Sequence, residues 1–253
     1  AGVTAVPTTW EELDAACAKI KEAGYVPITD DDAYITCLFG YHMCRLVGYE
    51  RTSEIVKNGE WDDPAVLKTA ESFADFAKKG YFSENIASNV WPAGQNMELA
   101  GGTAAMYLNG SWLPNEVQAM AGDDFKWGCF SYPAVEGGVD GTNASNYGAQ
   151  VFAINKNSKN AEAAFQLICK ITKGEFDQVL AEESNGIPAD TTNTEWPAMV
   201  QCAQPVMEQL TVRYPWAAGA EDNADMTPII KENMLKLVGG SISAQEFVDA
   251  LKK

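Results

Sequence analysis

An α/β lobe followed by a mostly helical segment is the fold class that this 253-residue sequence predicts. Two patterns predict it: short apolar strand runs alternate with helical periodicity before residue 155, and helices dominate after it. A third observation agrees, since PAVEGGVDGTNASNYG at 133–148 is the clearest internal loop, rich in Gly, Asn and Asp, and marks a candidate boundary. The chain carries no sequence repeat and no low-complexity segment.

Each element has a local signature. Thr8 or Thr9 followed by Glu11 or Glu12 is a capping-box signal. Trp10, Leu13, Cys17 and Ile20 then recur at helical spacing, so a helix is expected to run to about Gly24. YVPIT at 25–29 reads as a short strand, followed by the acidic run TDDD and an apolar helix over about 33–47. Asp63 as N-cap with Pro64 at the first helical position opens a third helix, whose Val66, Ala70, Phe73 and Ala77 share a face. A turn at Lys79 and Gly80, a short helix near 94–100 and the strand AAMYL at 104–108 come next. A helix from Leu113 to about Met120 and the strand KWGCFSY at 126–132 follow. Beyond the loop, QVFAI at 150–154 reads as a strand, and Asn160 starts a helix with Ala161, Phe165 and Ile168 on one face. Further helices are expected over 174–183, 194–210 and 226–238, and Ser243 with Glu246 caps the last one.

Composition limits the function classes. With 46% hydrophobic residues the chain can bury a core, which excludes disorder as its overall state. A formal net charge of −17 repels phosphate backbones and anionic membrane surfaces, and no Lys/Arg cluster opposes that repulsion. Nucleic acid is therefore not an expected partner. No run approaches the ~18 apolar residues of a membrane span, and AGVTAVPTTW lacks the regions of a signal peptide, so any export signal is expected to lie outside this sequence. The six cysteines, at 17, 37, 44, 129, 169 and 202, form no C-x-x-C pair and sit mostly at apolar positions, where free Cys behaves as a small hydrophobe. Cys37 and Cys44 share a helix face, but with one histidine in the chain, His42, a zinc site is not expected. Neither a metal nor a cofactor is predicted.

The motifs of common chemistries are absent from the sequence: no G-x-S-x-G elbow occurs, and no G-x-x-x-x-G-K followed by Ser or Thr. Gly101-Gly102 precedes a strand and does not open a helix as a dinucleotide fingerprint would. Asp30 and Asp31 read as a solvated loop face, whereas Asp32 sits at a strand-to-helix junction just before Tyr34. In open α/β sheets ligands bind outside the carboxyl ends of strands. Asp32, Tyr34, Asn109 and Trp112 all follow such ends. A Trp face beside an amide and a carboxylate suits a pyranose, whose apolar face stacks while its hydroxyls are hydrogen-bonded. By periodicity alone, Trp112 reads equally as a helix-start core residue.

PTTWEELDAACAKIKEAGYVPI, GGTAAMYLNGSW, YPAVEGG, GAQVFAINKNSKNAEAAFQLICKI and SNGIPAD, in this order, resemble the extracellular solute-binding proteins of ABC transporters, in the carbohydrate-binding group that includes maltose-binding protein. The resemblance covers essentially the whole chain. It implies a periplasmic-binding-protein type II-like α/β fold, with one complete lobe at 1–147 and, at 148–253, the return strand and C-terminal helices of an incomplete other lobe. It also implies a non-enzymatic binder of a sugar or oligosaccharide, with ABC permease subunits as partners and no cofactor; the alternatives are a binder of a peptide or another polar solute on the same fold and, after that, a glycoside hydrolase using a carboxylate pair. An extracellular or periplasmic location follows, with membrane contact only through a lipid anchor or the permease. Carried over by residue, Trp112 in LNGSW matches the family's stacking tryptophan, and DAYIT points to Asp32 and Tyr34. Tyr147 falls where the chain recrosses between lobes. Trp216, Asn223 and Asp225, in and before GAEDNADMT, are further candidates. PTTWEEL normally follows a long N-terminal stretch of the first lobe, so the chain is expected to be a fragment, a cleavage product, or a chain completed by another copy.

Overall fold

The structure is a computed structural model that describes residues 1–122 and 124–253. Helix α1 (Trp10–Glu22) starts at the expected capping box: the Glu12 N–H donates to Thr9 Oγ1 at 3.2 Å, and the Thr9 N–H donates back to Glu12 Oε2 at 3.3 Å. Its Leu13, Ala16, Cys17 and Ile20 are buried, as a one-sided apolar stripe requires. Strand β1 (Val26–Thr29) leads into α2 (Ile35–Asn58), which breaks at Gly48 (φ 79°, ψ 165°). The helix expected to end at 47 is thus the first half of a longer one. Helix α3 (Pro64–Lys78) is capped by Asp63, whose Oδ1 accepts the Ala65 N–H at 2.9 Å, and it buries Val66, Ala70, Phe73 and Phe76. Helix α4 (Gly94–Ala100), strand β2 (Ala104–Tyr107) and helix α5 (Leu113–Ala121) follow. β2 pairs parallel with β1, Thr29 opposite Tyr107, so both strands end on the same side.

A second parallel pair joins β3 (Ala144–Asn146), inside the expected loop, to β4 (Val212–Tyr214). Arg45, fully buried, fixes this pair to α2. Its Nη2 donates to Tyr132 O and Ala144 O at 2.8 Å each, its Nη1 to Tyr214 Oη at 2.7 Å, and its Nε to Tyr132 O and Pro133 O at 3.2 Å. Tyr214 passes the link on to Asp140, whose Oδ2 accepts its hydroxyl at 2.7 Å. A buried guanidinium is tolerated because its donors are satisfied and three tyrosine rings, of Tyr41, Tyr132 and Tyr214, stand 5.5 to 5.9 Å from it.

Between these strands lie α6 (Ala161–Ile171), α7 (Gly174–Ser184) and α8 (Gln204–Glu208); after β4 come α9 (Thr227–Val238) and α10 (Ala244–Leu251), the last with its Ser243–Glu246 capping box. The main core unites Phe39 and Met43 of α2, Phe73 and Phe76 of α3, Ile230 and Met234 of α9, and Phe247 and Leu251 of α10. Burial of each such side chain contributes roughly 1.5–3 kcal/mol. Residues of 212–251 share one core with residues before 147. The segment between behaves differently. Among its described residues α6 buries none, and Phe165 and Leu167 are exposed.

Four expectations are corrected. The runs at 126–132 and 150–154 form no strand because, among the described residues, they find no ladder partner, and Val151 and Phe152 stand in solvent. The helix over 194–210 is reduced to a 3-10 turn (Gln201–Ala203) and α8, since Pro197 and Pro205 lack the N–H that helix continuation needs. Asp30 and Asp31 are not a solvated face: both are fully buried. Of the cysteines, Cys17, Cys37 and Cys44 are in the core, but Cys129 and Cys169 are exposed. His42 is a core residue, its Nδ1 hydrogen-bonded with the Tyr132 hydroxyl at 3.0 Å, and burial pushes its pKa down to about 3. No helix of the described residues is long and apolar enough to cross a membrane.

Candidate functional site

Three strand ends deliver one aromatic wall. β1 runs into Tyr34 at the start of α2, β2 into Trp112 at the start of α5, and β4 into Trp216. The Tyr34 ring centre lies 6.0 Å from that of Trp216, 6.4 Å from that of Trp112 and 5.9 Å from that of Tyr107. Trp112 and Trp216 are near-parallel, 28° apart with centres at 6.4 Å. Trp112 is 37% exposed and Trp216 46%.

The backbone around each indole explains its stance. A Cβ on Gly110 would lie 2.2 Å from the Trp112 ring, so the turn before α5 needs glycine for the indole to fold back over it. Trp216 opens a 3-10 turn (Trp216–Gly219) in which Ala217 (φ 50°) and Ala218 (φ 49°) are both left-handed. That strain persists only where packing over-determines it. Here a Cβ on Gly40 of α2 would meet Ala217 O at 1.9 Å, and the Cys44 thiol donates to Ala218 O at 3.1 Å. The turn is seated on α2, and Trp216 is held with it.

Polar groups surround the wall. Asn109 Oδ1 accepts the Gly110 N–H at 2.6 Å, while its Nδ2 is buried without a hydrogen-bond partner among the described residues. Glu221 accepts the Trp216 Nε1–H at 3.0 Å and the Thr36 hydroxyl at 2.7 Å. Asp31 accepts the Ala33 and Tyr34 N–H groups at 2.6 and 3.1 Å and the Tyr107 hydroxyl, yet burial still raises its carboxyl above the usual range. Asp30 behind it is raised further, by burial and then by the Asp31 charge. Asp32 goes the other way. Partial burial opposes it, but the Trp91 N–H at 3.1 Å and the Lys231 ammonium at 3.1 Å hold its carboxyl below the ordinary value.

Of the residues singled out in the sequence, Tyr34, Trp112 and Trp216 meet in one cluster, with Asp32 and Asn109 at the neighbouring strand ends. Tyr147 follows β3, its ring 5.8 Å from the Arg213 guanidinium and its carbonyl accepting Arg213 Nε at 2.7 Å. Asn223 is used structurally: its Oδ1 accepts the Asp225 and Met226 N–H groups at 3.1 and 3.4 Å ahead of α9, and its Nδ2 donates to Val56 O at 3.4 Å. Asp225 is exposed next to it. Sequence reasoning missed Trp91, Glu116, Tyr107, Glu221 and Lys231. Trp91 in VWPAG carried a visible signal, an aromatic in a turn, but the others are placed by contacts up to 199 residues apart. Among the described residues no group of three or more His, Cys, Asp or Glu is placed to hold a metal ion.

Known proteins share this architecture. A chitin oligosaccharide binding protein superposes on 98% of this chain with a TM-score of 0.77 at 23% identity. A sugar transporter protein from Bacillus licheniformis, solved with stachyose, does so on 98% with a TM-score of 0.69 at 16% identity. A probable sugar-binding periplasmic protein of Rhizobium meliloti (strain 1021) is 25% identical over 268 residues, 97% of this chain. This chain spans 60% of that relative and 64% and 66% of the two solved proteins. The fold is thus the helix-rich α/β architecture of type II periplasmic binding proteins, present here in part. The model of the bacterial extracellular solute-binding protein family matches residues 1–170, and this chain belongs to that family.

Proposed function

We propose that this chain is part of the substrate-binding component of an ABC importer and binds a sugar or oligosaccharide against Tyr34, Trp112 and Trp216. The observation that carries the reading is the convergence of three part-exposed rings from the ends of three strands, beside the Asn109 amide. A pyranose presents C–H groups on its face and hydroxyls at its rim, which is the complement of such a wall. Asn109 and Asp32 are the proposed hydroxyl partners, and Tyr147 a contact at the crossover. Asn223 is not included because its side-chain oxygen is taken by the Asp225 and Met226 N–H groups ahead of α9.

The proposed division is one lobe of 1–147 with 212–253, and 148–211 as a portion of a second lobe, with the crossovers at Tyr147 and Arg213. A ligand clamped by hinge closure of two lobes is bound and released with no bond broken. The relatives named as sugar-binding and the matched family support this non-enzymatic reading and a location outside the cytoplasmic membrane. A permease partner and a lipid anchor are part of the same proposal.

Titration with mono- and oligosaccharides, followed by tryptophan fluorescence and by chromatography of the sugars, tests it. Saturable binding without turnover is expected, with Trp112→Ala weakening the tightest sugar about tenfold or more. Sugar hydrolysis, or unchanged affinity in Trp112→Ala, counts against the reading.

A further inference from the structure

Backbone anchors fix where Trp216 leaves the chain, but not where its ring points. The Cys44 thiol donates to Ala218 O at 3.1 Å, and the Asp222 carboxylate accepts the Tyr49 hydroxyl at 3.3 Å, the Ser53 hydroxyl, and the Lys57 ammonium at 3.4 Å. Residues 218 and 222 are thereby tied to α2. An indole hung from such a turn still has two side-chain torsions to settle, each with more than one well. The neighbouring rings settle them only in part. The Trp112 and Tyr34 ring centres lie at 6.4 and 6.0 Å, toward the far end of the ~4.5–7 Å range over which aromatic pairs attract. With 46% of Trp216 exposed, packing alone does not lock the ring.

Glu221 supplies the missing restraint. Its Oε2 accepts the Trp216 Nε1–H at 3.0 Å, the one hydrogen bond of that indole among the described residues. Its Oε1 accepts the Thr36 hydroxyl at 2.7 Å, and Thr36 is a buried residue in the first turn of α2. Tyr34 is the residue from which that turn starts. The links from Trp216 through Glu221 to Thr36 thus tie the indole to the helix end that carries the Tyr34 ring. Each carboxylate oxygen already has a protein donor.

We infer that Glu221 is a positioning residue: it sets the angle at which Trp216 meets a ligand and does not bind the ligand itself. The inference rests on the sugar-binding function proposed above. A ring held in its bound orientation before the sugar arrives spares the cost of ordering it on binding, about two- to tenfold in affinity for one side chain. Glutamine can replace the carboxylate. Its amide oxygen accepts the indole N–H, and its NH2 group donates to the Thr36 hydroxyl, which serves as donor or acceptor. Alanine can do neither.

The test is titration of the full chain with stachyose, chitotriose and maltotriose, read for the tightest-binding of the three, together with the Trp216 indole N–H resonance, identified by its loss in Trp216→Phe. Glu221→Ala is expected to weaken that sugar about two- to tenfold and to move the Trp216 resonance in the sugar-free protein. Glu221→Gln is expected to recover most of both. Trp216→Phe keeps a ring but has no N–H to hold, so adding Glu221→Ala to it costs less than about twofold further. Thr36→Val keeps the shape and removes the hydroxyl, and it carries the same two readouts if Glu221→Ala does not fold. Full affinity in Glu221→Ala, a Trp216 resonance that does not move, or a Glu221→Gln as weak as Glu221→Ala overturns the positioning role. So does an equal loss of affinity with Trp216 and with Phe in its place, which would make Glu221 a direct sugar contact. Each of these results leaves the sugar site standing. No binding of any of the three sugars, or binding that Trp216→Phe leaves unchanged, overturns the proposed site at Trp216 and the role of Glu221 with it.

Discussion

Arg45→Met removes the hub that ties β3, β4 and the 132–133 segment to α2, and it separates the structural role of this residue from its shape. Met matches the length of the arginine stem but has no donor. The carbonyls of Tyr132, Pro133 and Ala144 and the Tyr214 hydroxyl lose the guanidinium. Removing a buried cation also relieves its own desolvation, so the loss comes from the acceptors left behind, each worth about 1–3 kcal/mol when orphaned. Tyr214 keeps its bond to Asp140, which leaves three carbonyls as the main term. A net destabilisation of roughly 4 kcal/mol follows, which lowers Tm by on the order of 10 °C for a chain of this size. Urea unfolding followed by far-UV circular dichroism reads it as a shift in midpoint at constant slope. Because β4 runs straight into Trp216, sugar affinity is expected to fall with it. A loss under about 1 kcal/mol would show that these acceptors find other partners and would refute the reasoning.

Two further outcomes follow from close packing and from linkage. Gly40→Ala places a methyl 1.9 Å from Ala217 O, a backbone atom that cannot step aside; it is expected to destabilise by roughly 1–3 kcal/mol and to shift the Trp216 fluorescence, and wild-type behaviour in both would contradict the account of the 217–218 turn. The folded His42 has its pKa lowered by burial from 6.5 to about 3, so the unfolded chain takes up the proton first as pH falls. Its contribution to stability is complete above about pH 6.5 and declines between there and about pH 3. His42→Phe is expected to flatten the pH dependence of the urea midpoint in that window, and an unchanged slope would contradict it.

What the sequence made legible was local. The capping boxes at Thr9 and Ser243, the Asp63-Pro64 start of α3 and the short strands β1 and β2 need only neighbouring residues, and all are present. Strands at 126–132 and 150–154 were not settled by pattern because a strand exists only with a partner. β4 is three residues of VRY, too short for alternation to register, and its partner β3 lies inside a stretch that reads as loop. The acidic run misleads for a related reason: hydration is the expectation for TDDD, but the tertiary fold closes over Asp30 and Asp31. Trp112 and Tyr34 were legible as candidates from their strand-end positions. Trp216, more than 100 residues from Trp112 in sequence, was a candidate only through the family resemblance, and that its ring meets theirs was not legible.

Two-dimensional NMR of the indole N–H groups tests the central claim most directly, because the seven tryptophans report separately. On addition of the tightest-binding oligosaccharide, the Trp112 and Trp216 resonances are predicted to shift in a saturable way, while Trp61, buried in the core, and Trp10, packed on Phe76 at 4.3 Å, stay in place. Saturable binding that leaves Trp112 and Trp216 unshifted would contradict the account.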